Sequence, residues 1–153
     1  MAQAAVQPSG IAGVEPLERS SDRREEPRDG DILLIEDQDD VRDGLAQLLE
    51  LHGFNVIAAP DADQGLRELD EQSEGVALII LDLLLPGHAS GGDFRALQLA
   101  DPLLASIPTI IITASEVDGA DRAKLQADGW LDKPFRFDSL LQLVKRYVAQ
   151  EAA

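Results

Sequence analysis

The stretch LIILDLLLPG, residues 78–87, places one carboxylate, Asp82, at the end of a purely apolar run that begins at Val76. A continuous apolar run, rather than an alternating one, is typical of a strand covered on both faces in a parallel sheet between helix layers. A charge in such surroundings is costly to desolvate unless it is paired. The stretch therefore predicts a central strand followed by a carboxylate that needs a partner.

Short apolar runs recur on both sides of this stretch, with helical periodicity between them. The predicted strands are Asp31–Ile35, Phe54–Ala58, Val76–Leu81, Thr109–Ile112 and Gly129–Leu131. Five strand–helix units are too few for an eight-unit barrel. The sequence therefore predicts an α/β fold, (βα)5, with a doubly wound five-stranded parallel sheet.

The helices between these strands are predicted from their end signals and their apolar faces. For the first helix, Asp39 or Asp40 is the expected cap and Gly53 the stop. Its expected inner face comprises Val41, Leu45, Leu48 and Leu49. The other helices are expected after Pro60 and Asp61, near Asp93–Ala100, over Gly119–Ala127 and from about Asp138.

Composition limits the classes of function that this chain of 153 residues can have. It contains no cysteine, which excludes disulfides and thiolate metal sites, and no apolar run long enough to span a membrane. A net charge of −16 makes nucleic acid a poor partner. Without a signal peptide, the expected location is cytoplasmic. The charged, proline-containing residues 1–29 predict a disordered tail before a domain at 30–150.

Polar side chains directly follow four of the predicted strands. Glu36 and Asp37 follow the first strand, Asp82 the third, Thr113 the fourth and Lys133 the fifth. The site of a doubly wound fold lies at the carboxyl ends of its parallel strands, so we expect these groups to lie together. Singly, each has an ordinary structural reading as a helix cap, a turn former or a solvated side chain.

The chemistry of this predicted group favours a divalent cation and a phosphoryl group. Two carboxylates about 4 Å apart repel by roughly 4 kcal/mol at an effective dielectric near 20, so three of them need a cation. Oxygen ligands without histidine or cysteine suit Mg²⁺ or Mn²⁺. An ammonium and a hydroxyl group beside the ion are suited to binding a phosphoryl group. An aspartate carboxylate can itself be the nucleophile.

Four motifs in this order resemble those of response-regulator receiver domains of two-component signalling. They are ILLIED (32–37), LIILDLLLPG (78–87), IIITAS (110–115) and WLDKPF (130–135), and the resemblance covers about residues 31–150. It implies a flavodoxin-like sheet with strand order 2-1-3-4-5.

The resemblance also implies a role for each residue of the group. Asp82 would be the phosphoacceptor, phosphorylated by a histidine kinase or a histidine phosphotransfer protein. Asp37, Asp82 and the backbone carbonyl of Leu84 would bind the metal, and Glu36 would act through a bound water molecule. Lys133 would pair with Asp82, and its bond to the following proline is commonly cis in the family.

The resemblance further implies a switch that signals through protein–protein contact. Thr113 would move toward the phosphoryl group, and Trp130, where the family usually has Tyr or Phe, would turn into the vacated space. The chain would catalyse only its own phosphorylation and dephosphorylation, and would act on a downstream protein target. The loop 88–92 is about one residue longer than usual, and the segment between Thr113 and Lys133 is about two residues shorter.

Two other classes of function remain open at the level of sequence. One is a pseudo-receiver, a binding module with the same fold and no phosphorylation. The other is a metal-dependent phosphohydrolase or Toprim-like domain, which would require a second acid two residues after Asp82, where Leu84 stands.

Overall fold

Strands and helices alternate through the chain, whose computed structural model describes residues 26–85, 90–114 and 117–150. Strands β1 to β5 are Asp31–Ile35, Val56–Ala59, Val76–Asp82, Thr109–Thr113 and Gly129–Asp132. Helices α1 to α5 are Asp39–Leu51, Ala62–Gln72, Gly91–Ala100, Gly119–Leu125 and Phe137–Tyr147. Two further elements, the 3-10 turn Ser73–Gly75 and the single helical turn Pro102–Ala105, were not predicted from the sequence.

All five strands are parallel and form one sheet in the order β2-β1-β3-β4-β5. This confirms the predicted doubly wound sheet and its 2-1-3-4-5 order. The order reverses between β1 and β3, the place where such folds open a crevice at the carboxyl edge. Strand β3 lies at the centre, and all seven of its residues are buried.

Two apolar clusters cover the two faces of the sheet because successive strand side chains point to opposite faces. On one face, Ile80 and Ile112 share a cluster with Leu49 of α1 and Val144 of α5. On the other face, Leu81 and Ile111 share a cluster with α2 and α3 residues, including Phe94. The continuously apolar runs therefore reflect burial on both sides, as predicted.

Several predicted element ends differ from those in the structure. The second strand begins at Val56 rather than Phe54, because Phe54 turns into the core before strand pairing starts. Helix α1 has Gln38 at its cap position without a side-chain bond, so the predicted Asp39 or Asp40 cap is wrong. The placement of Leu48 on the inner face is also wrong, since its side chain is 38% exposed.

Helix α3 begins at Gly91, two residues earlier than predicted. Ser90 and Asp93 form a reciprocal capping box at this end. The backbone of Gly91 lies so close to β3 that a Cβ atom there would come within 2.6 Å of the Asp82 carbonyl oxygen. Glycine at this position therefore lets α3 pack directly against the end of β3.

Most of the predicted tail 1–29 lies outside the described residues, as do residues 88 and 89 of the loop 88–92 that was expected to be longer. Within the described part, Arg28 forms an isolated parallel bridge with Val148. The Arg28 amide donates to the Tyr147 carbonyl at 2.9 Å, and the Ala149 amide donates to the Arg28 carbonyl at 2.9 Å. No helix in the described part of the chain is both long and apolar enough to cross a membrane.

Candidate functional site

Three acidic side chains meet at the carboxyl edge of the sheet. Glu36 and Asp37 follow β1, and Asp82 is the last residue of the neighbouring strand β3. One carboxylate oxygen from each lies within 4.8 Å of the others. Glu36 and Asp82 are almost completely buried, at 1% and 4% exposure. At 4.8 Å, two carboxylates repel by about 3.5 kcal/mol at an effective dielectric near 20, so this group favours binding of a cation.

Lys133, which the sequence predicts at this edge, supplies an ammonium group there. Its Nζ donates to Glu36 Oε1 at 3.0 Å and to Asp82 Oδ2 at 3.1 Å. Its amide donates to the Thr113 carbonyl at 2.9 Å, and the Lys133–Pro134 peptide bond is cis. Burial alone would lower the pKa of Lys133, but the bonds and charges of Glu36 and Asp82 outweigh it and raise that pKa. Lys133 is therefore a firmly held cation.

Asp82 is held by bonds to both of its carboxylate oxygens. Oδ2 accepts from Lys133, and Oδ1 accepts from the Leu84 amide at 3.0 Å. The side chain of Leu84 is 54% exposed. The residue after Asp82 is also fixed, because its amide donates to the Ile112 carbonyl at 2.9 Å. These bonds orient the Asp82 carboxylate at the strand end.

Glu36 is bound on both sides and is also strongly desolvated. Its Oε2 accepts from the Gln38 amide at 3.1 Å, and its Oε1 accepts from Lys133. Burial raises the pKa of Glu36, and the charge of Asp82 adds to this, while the bonds to Gln38 and Lys133 oppose it. The bond between Glu36 and Lys133 was not predicted from the sequence.

The donor set fits a small, hard divalent cation. The three clustered ligands are all carboxylate oxygens, the ligand type of Mg²⁺ and Mn²⁺. Among the described residues, Lys133 supplies the single ammonium within bonding distance, so three carboxylates face one positive charge. The site therefore has both the ligands and the charge deficit that a divalent ion would satisfy.

Thr113 ends β4, next to the strand that carries Asp82, and is completely buried. In the pairing of β3 with β4, Asp82 lies opposite Ile112, one position before Thr113. A cleft of about 650 Å³ opens beside Thr113 and Lys133. The residues lining it are Thr113, Ala114, Val117, Asp118, Asp121, Arg122, Asp132 and Lys133.

Comparison with known proteins decides the family. The family model for the response regulator receiver domain matches residues 32–145, which include every residue of the group. The chain belongs to this family. Its role is therefore that of a receiver domain in two-component signalling, rather than that of a metabolic enzyme.

Similar curated proteins include longer regulators. Over 116 residues, the receiver domain is 34% identical to the transcriptional regulatory protein CpxR of Escherichia coli K12, covering 74% of this chain and 47% of CpxR. It is 31% identical over 116 residues to the sensory transduction protein RegX3 of Mycobacterium tuberculosis H37Rv, covering 74% of this chain and 48% of RegX3. The chain thus spans about half the length of these relatives.

Solved receiver structures share the fold. A putative response regulator from Chloroflexus aurantiacus is 27% identical with a TM-score of 0.68, covering 77% of this chain and 96% of that one. The receiver domain of sensor histidine kinase PA1611 from Pseudomonas aeruginosa, solved with a magnesium ion in its active-site cleft, is 24% identical with a TM-score of 0.69. That likeness covers 78% of this chain and 98% of the PA1611 chain, and at this identity it shows the fold alone.

Trp130 is set back from the acidic group of this receiver domain. It lies opposite Ile111 in the pairing of β4 with β5, two positions before the pair formed by Thr113 and Asp132. The Arg122 guanidinium stacks over its ring at 4.4 Å and also bonds Asp132 at 3.2 Å. Because Arg122 also lines the cleft, it links Trp130 to the space beside Thr113.

Arg42, which contacts the main chain of the acidic pair, was not predicted from the sequence. A signal was available, because Arg42 is in the first turn of α1. The positive end of the helix dipole disfavours a cation there, so a basic residue at this position indicates a local partner.

Proposed function

We propose that this receiver domain is phosphorylated on Asp82 by a phosphohistidine of a histidine kinase or a histidine phosphotransfer protein, in a reaction that depends on Mg²⁺ or Mn²⁺. The observation that carries the proposal is the bonding of Asp82. Its buried carboxylate has one oxygen 3.1 Å from the Lys133 ammonium, and it shares a cluster of oxygens with Glu36 and Asp37. Nucleophile, cation ligands and fixed positive charge thus occupy one place.

In the proposed step, an Asp82 carboxylate oxygen forms a bond to phosphorus as the phosphorus–nitrogen bond of the phosphohistidine breaks. The imidazole leaves with the electron pair of that bond and takes up a proton. Phosphoryl transfer is mostly a matter of positioning and charge neutralisation. Lys133 already bonds the attacking group and would follow the charge onto the phosphoryl oxygens. A bound divalent ion supplies the remaining positive charge.

For the finer roles, we propose those that the family resemblance implies. Asp37, Asp82 and the Leu84 carbonyl would hold the ion, with Glu36 acting through a water molecule. Thr113, at the end of the strand beside Asp82, would donate its hydroxyl to the phosphoryl group. Trp130 would respond to that movement, shifting the surface formed by α4 and β5. Phosphorylation would then bias two arrangements that are already accessible.

The partners in this proposal are proteins. A kinase or phosphotransfer protein supplies the phosphoryl group, and a downstream protein target reads the switched surface. The acidic charge of the chain gives no support to direct binding of nucleic acid by the receiver domain. We propose residues 30–150 as the domain and the cytoplasm as its location.

Reaction with a small phosphodonor tests the proposal. We expect acetyl phosphate with Mg²⁺ to add one phosphoryl group to the full chain, in an acid-stable and alkali-labile linkage. A chelator should prevent the reaction. Asp82→Asn should give no adduct, whereas Asp43→Asn, the same change at an exposed residue of α1, should react like the unsubstituted protein.

The two alternative classes give other outcomes in the same experiment. A pseudo-receiver would give no adduct with any phosphodonor, and Mg²⁺ would not change the fluorescence of Trp130, the only tryptophan. A phosphohydrolase would turn over an exogenous phosphoester. Either result would contradict the proposal.

A further inference from the structure

Arg42 is a cation in an unfavourable place on its own helix. It is the fourth residue of α1, where the helix dipole repels positive charge. Its side chain is only 15% exposed, so most of it is removed from water. A side chain kept there at this cost in free energy is expected to make compensating bonds.

Those bonds go to the loop that carries the acidic pair. Nη1 donates to the Glu36 carbonyl at 2.9 Å and lies 3.5 Å from the Asp37 carbonyl, and Nη2 bonds Asp39 Oδ1 at 2.6 Å. The Arg42 amide donates to the Gln38 carbonyl at 2.8 Å. One residue therefore contacts four consecutive residues, 36–39, as the chain leaves β1 and enters α1.

The contacts to the acidic pair are to its main chain, which sets the kind of effect that Arg42 has. The carboxylate oxygens of Glu36 are bonded instead to Lys133 and to the Gln38 amide. The charge of Arg42 is paired with Asp39. Arg42 therefore orients the loop without occupying the oxygens that a cation would need.

We propose that Arg42 is a positioning residue for the cation site, holding the loop 36–39 so that the carboxylates of Glu36 and Asp37 face Asp82. This inference rests on the proposed function, since the site it serves is the proposed site for Mg²⁺ or Mn²⁺. Residues that orient metal ligands typically change metal affinity by 10- to 100-fold when they are removed.

Calorimetric titration of the full chain with Mg²⁺ measures the effect. We expect Arg42→Ala to raise the Kd for Mg²⁺ about tenfold or more, and Arg42→Lys, which keeps the charge and one donor, to raise it less. The matched control is Arg67→Ala on α2, because Arg67 is exposed and its bonds within the described residues go to the side chain of Gln64. The control should keep the Kd of the unsubstituted protein.

Amide hydrogen exchange without metal gives a second measurement. The Gln38 amide bonds the Glu36 carboxylate, so it reports the order of the loop directly. We expect Arg42→Ala to speed its exchange severalfold, while exchange of the β3 amides stays as in Arg67→Ala.

Failure of the inference about Arg42 can be distinguished from failure of the proposed function. Unchanged Kd and unchanged Gln38 exchange in Arg42→Ala would overturn the inference and leave Asp82 phosphorylation standing. If Arg42→Ala does not fold, Arg42→Lys decides, because a Kd equal to that of the unsubstituted protein would contradict the positioning role. Failure of the unsubstituted protein to bind Mg²⁺ would remove the proposed metal site and this inference together.

Discussion

Two cations lie at opposite edges of the sheet and have different kinds of partner. At the carboxyl edge, Lys133 bonds two carboxylates in a group of three. At the amino edge, Arg95 of α3 is 2% exposed and bonds only neutral oxygens among the contacts described. Those partners are the Gln98 side chain, the Thr109 hydroxyl and the carbonyls of Leu125 and Gln126.

This difference in partners distinguishes a polar cluster that holds the fold together, around Arg95, from a site suited to a ligand, around Lys133. Arg95 joins α3 to the start of β4 and to the end of α4, satisfying the terminal carbonyls of that helix. Burial lowers the pKa of the Arg95 guanidinium, and the charge of Asp128 opposes that effect. The polar partners of Arg95 at the amino edge are thus matched within the fold, whereas the described residues of the carboxyl edge carry an excess of carboxylates that a bound cation would balance.

The largest expected effect is on chemistry, at the carboxyl edge. Lys133→Met removes the fixed positive charge beside Asp82, and we expect phosphorylation by acetyl phosphate to slow by about 100-fold or more. Lys145→Met, an exposed residue of α5, is the control and should react at the normal rate. A normal rate in Lys133→Met would show that the ammonium takes no part in transfer.

At the amino edge, the expected effect is on stability. Arg95→Leu removes the four hydrogen bonds that Arg95 donates to Gln98, Thr109 and two carbonyls, so we expect the free energy of unfolding to fall by about 3 kcal/mol. Denaturant unfolding measures this, with Arg67→Leu as the control. The Kd for Mg²⁺ should stay unchanged, and a large change in that Kd would contradict the separation of the two edges.

The sequence predicts the features of the two edges that depend on neighbouring residues, and it does not predict those that depend on residues distant in the chain. The central strand and the acidic edge follow from apolar runs and from residues placed directly after them, such as Asp82 and Lys133. Apart from Gln98, three positions away, the partners of Arg95 lie 14 to 31 positions along the chain, so no local pattern indicates the cluster. The Glu36–Lys133 bond, 97 positions apart, was missed for the same reason.

Helix ends were the least predictable elements. Asp39 and Asp40 both suit a cap, yet Asp39 pairs with Arg42 and the helix begins without a side-chain cap bond. Leu48 fits the apolar periodicity of α1 but lies at the rim of the buried face. In both cases the sequence leaves two local options nearly equal, and the structure adopts the one that was not predicted.

A smaller effect is expected in the pH dependence of stability. Burial raises the pKa of Glu36 above its ordinary value of 4.5, so the folded protein binds this proton more readily than the unfolded chain. Its contribution to stability therefore grows as the pH falls through the raised folded value toward 4.5, and is least favourable above that range.

Comparison with Glu36→Gln isolates this contribution. In chelator, the unfolding free energy of the unsubstituted protein should rise relative to Glu36→Gln between pH 7 and about 4.5. The same comparison with Glu50→Gln, at an exposed residue of α1, should show no such trend. A fixed difference between the unsubstituted protein and Glu36→Gln across this range would show that Glu36 is not desolvated as described.

The smallest expected effect concerns Arg122, a partly exposed cation at the cleft. Its contact with the Trp130 ring at 4.4 Å and its ion pair with Asp132 together contribute about 0.5 to 1 kcal/mol. We expect Arg122→Gln to lower the unfolding free energy by that amount and to change the emission of Trp130. Arg136→Gln, at an 84% exposed side chain, should change neither. Unchanged emission in Arg122→Gln would contradict the stacking.

The most direct test of the contrast between the two edges is the position of a bound ion. A crystal of the full chain soaked with Mn²⁺ should give one strong anomalous peak at the carboxyl edge, in direct contact with carboxylate oxygens of Asp37 and Asp82. No peak is expected beside Arg95. An ion found only at other acidic positions, or no ion at the Glu36, Asp37 and Asp82 group, would contradict the account.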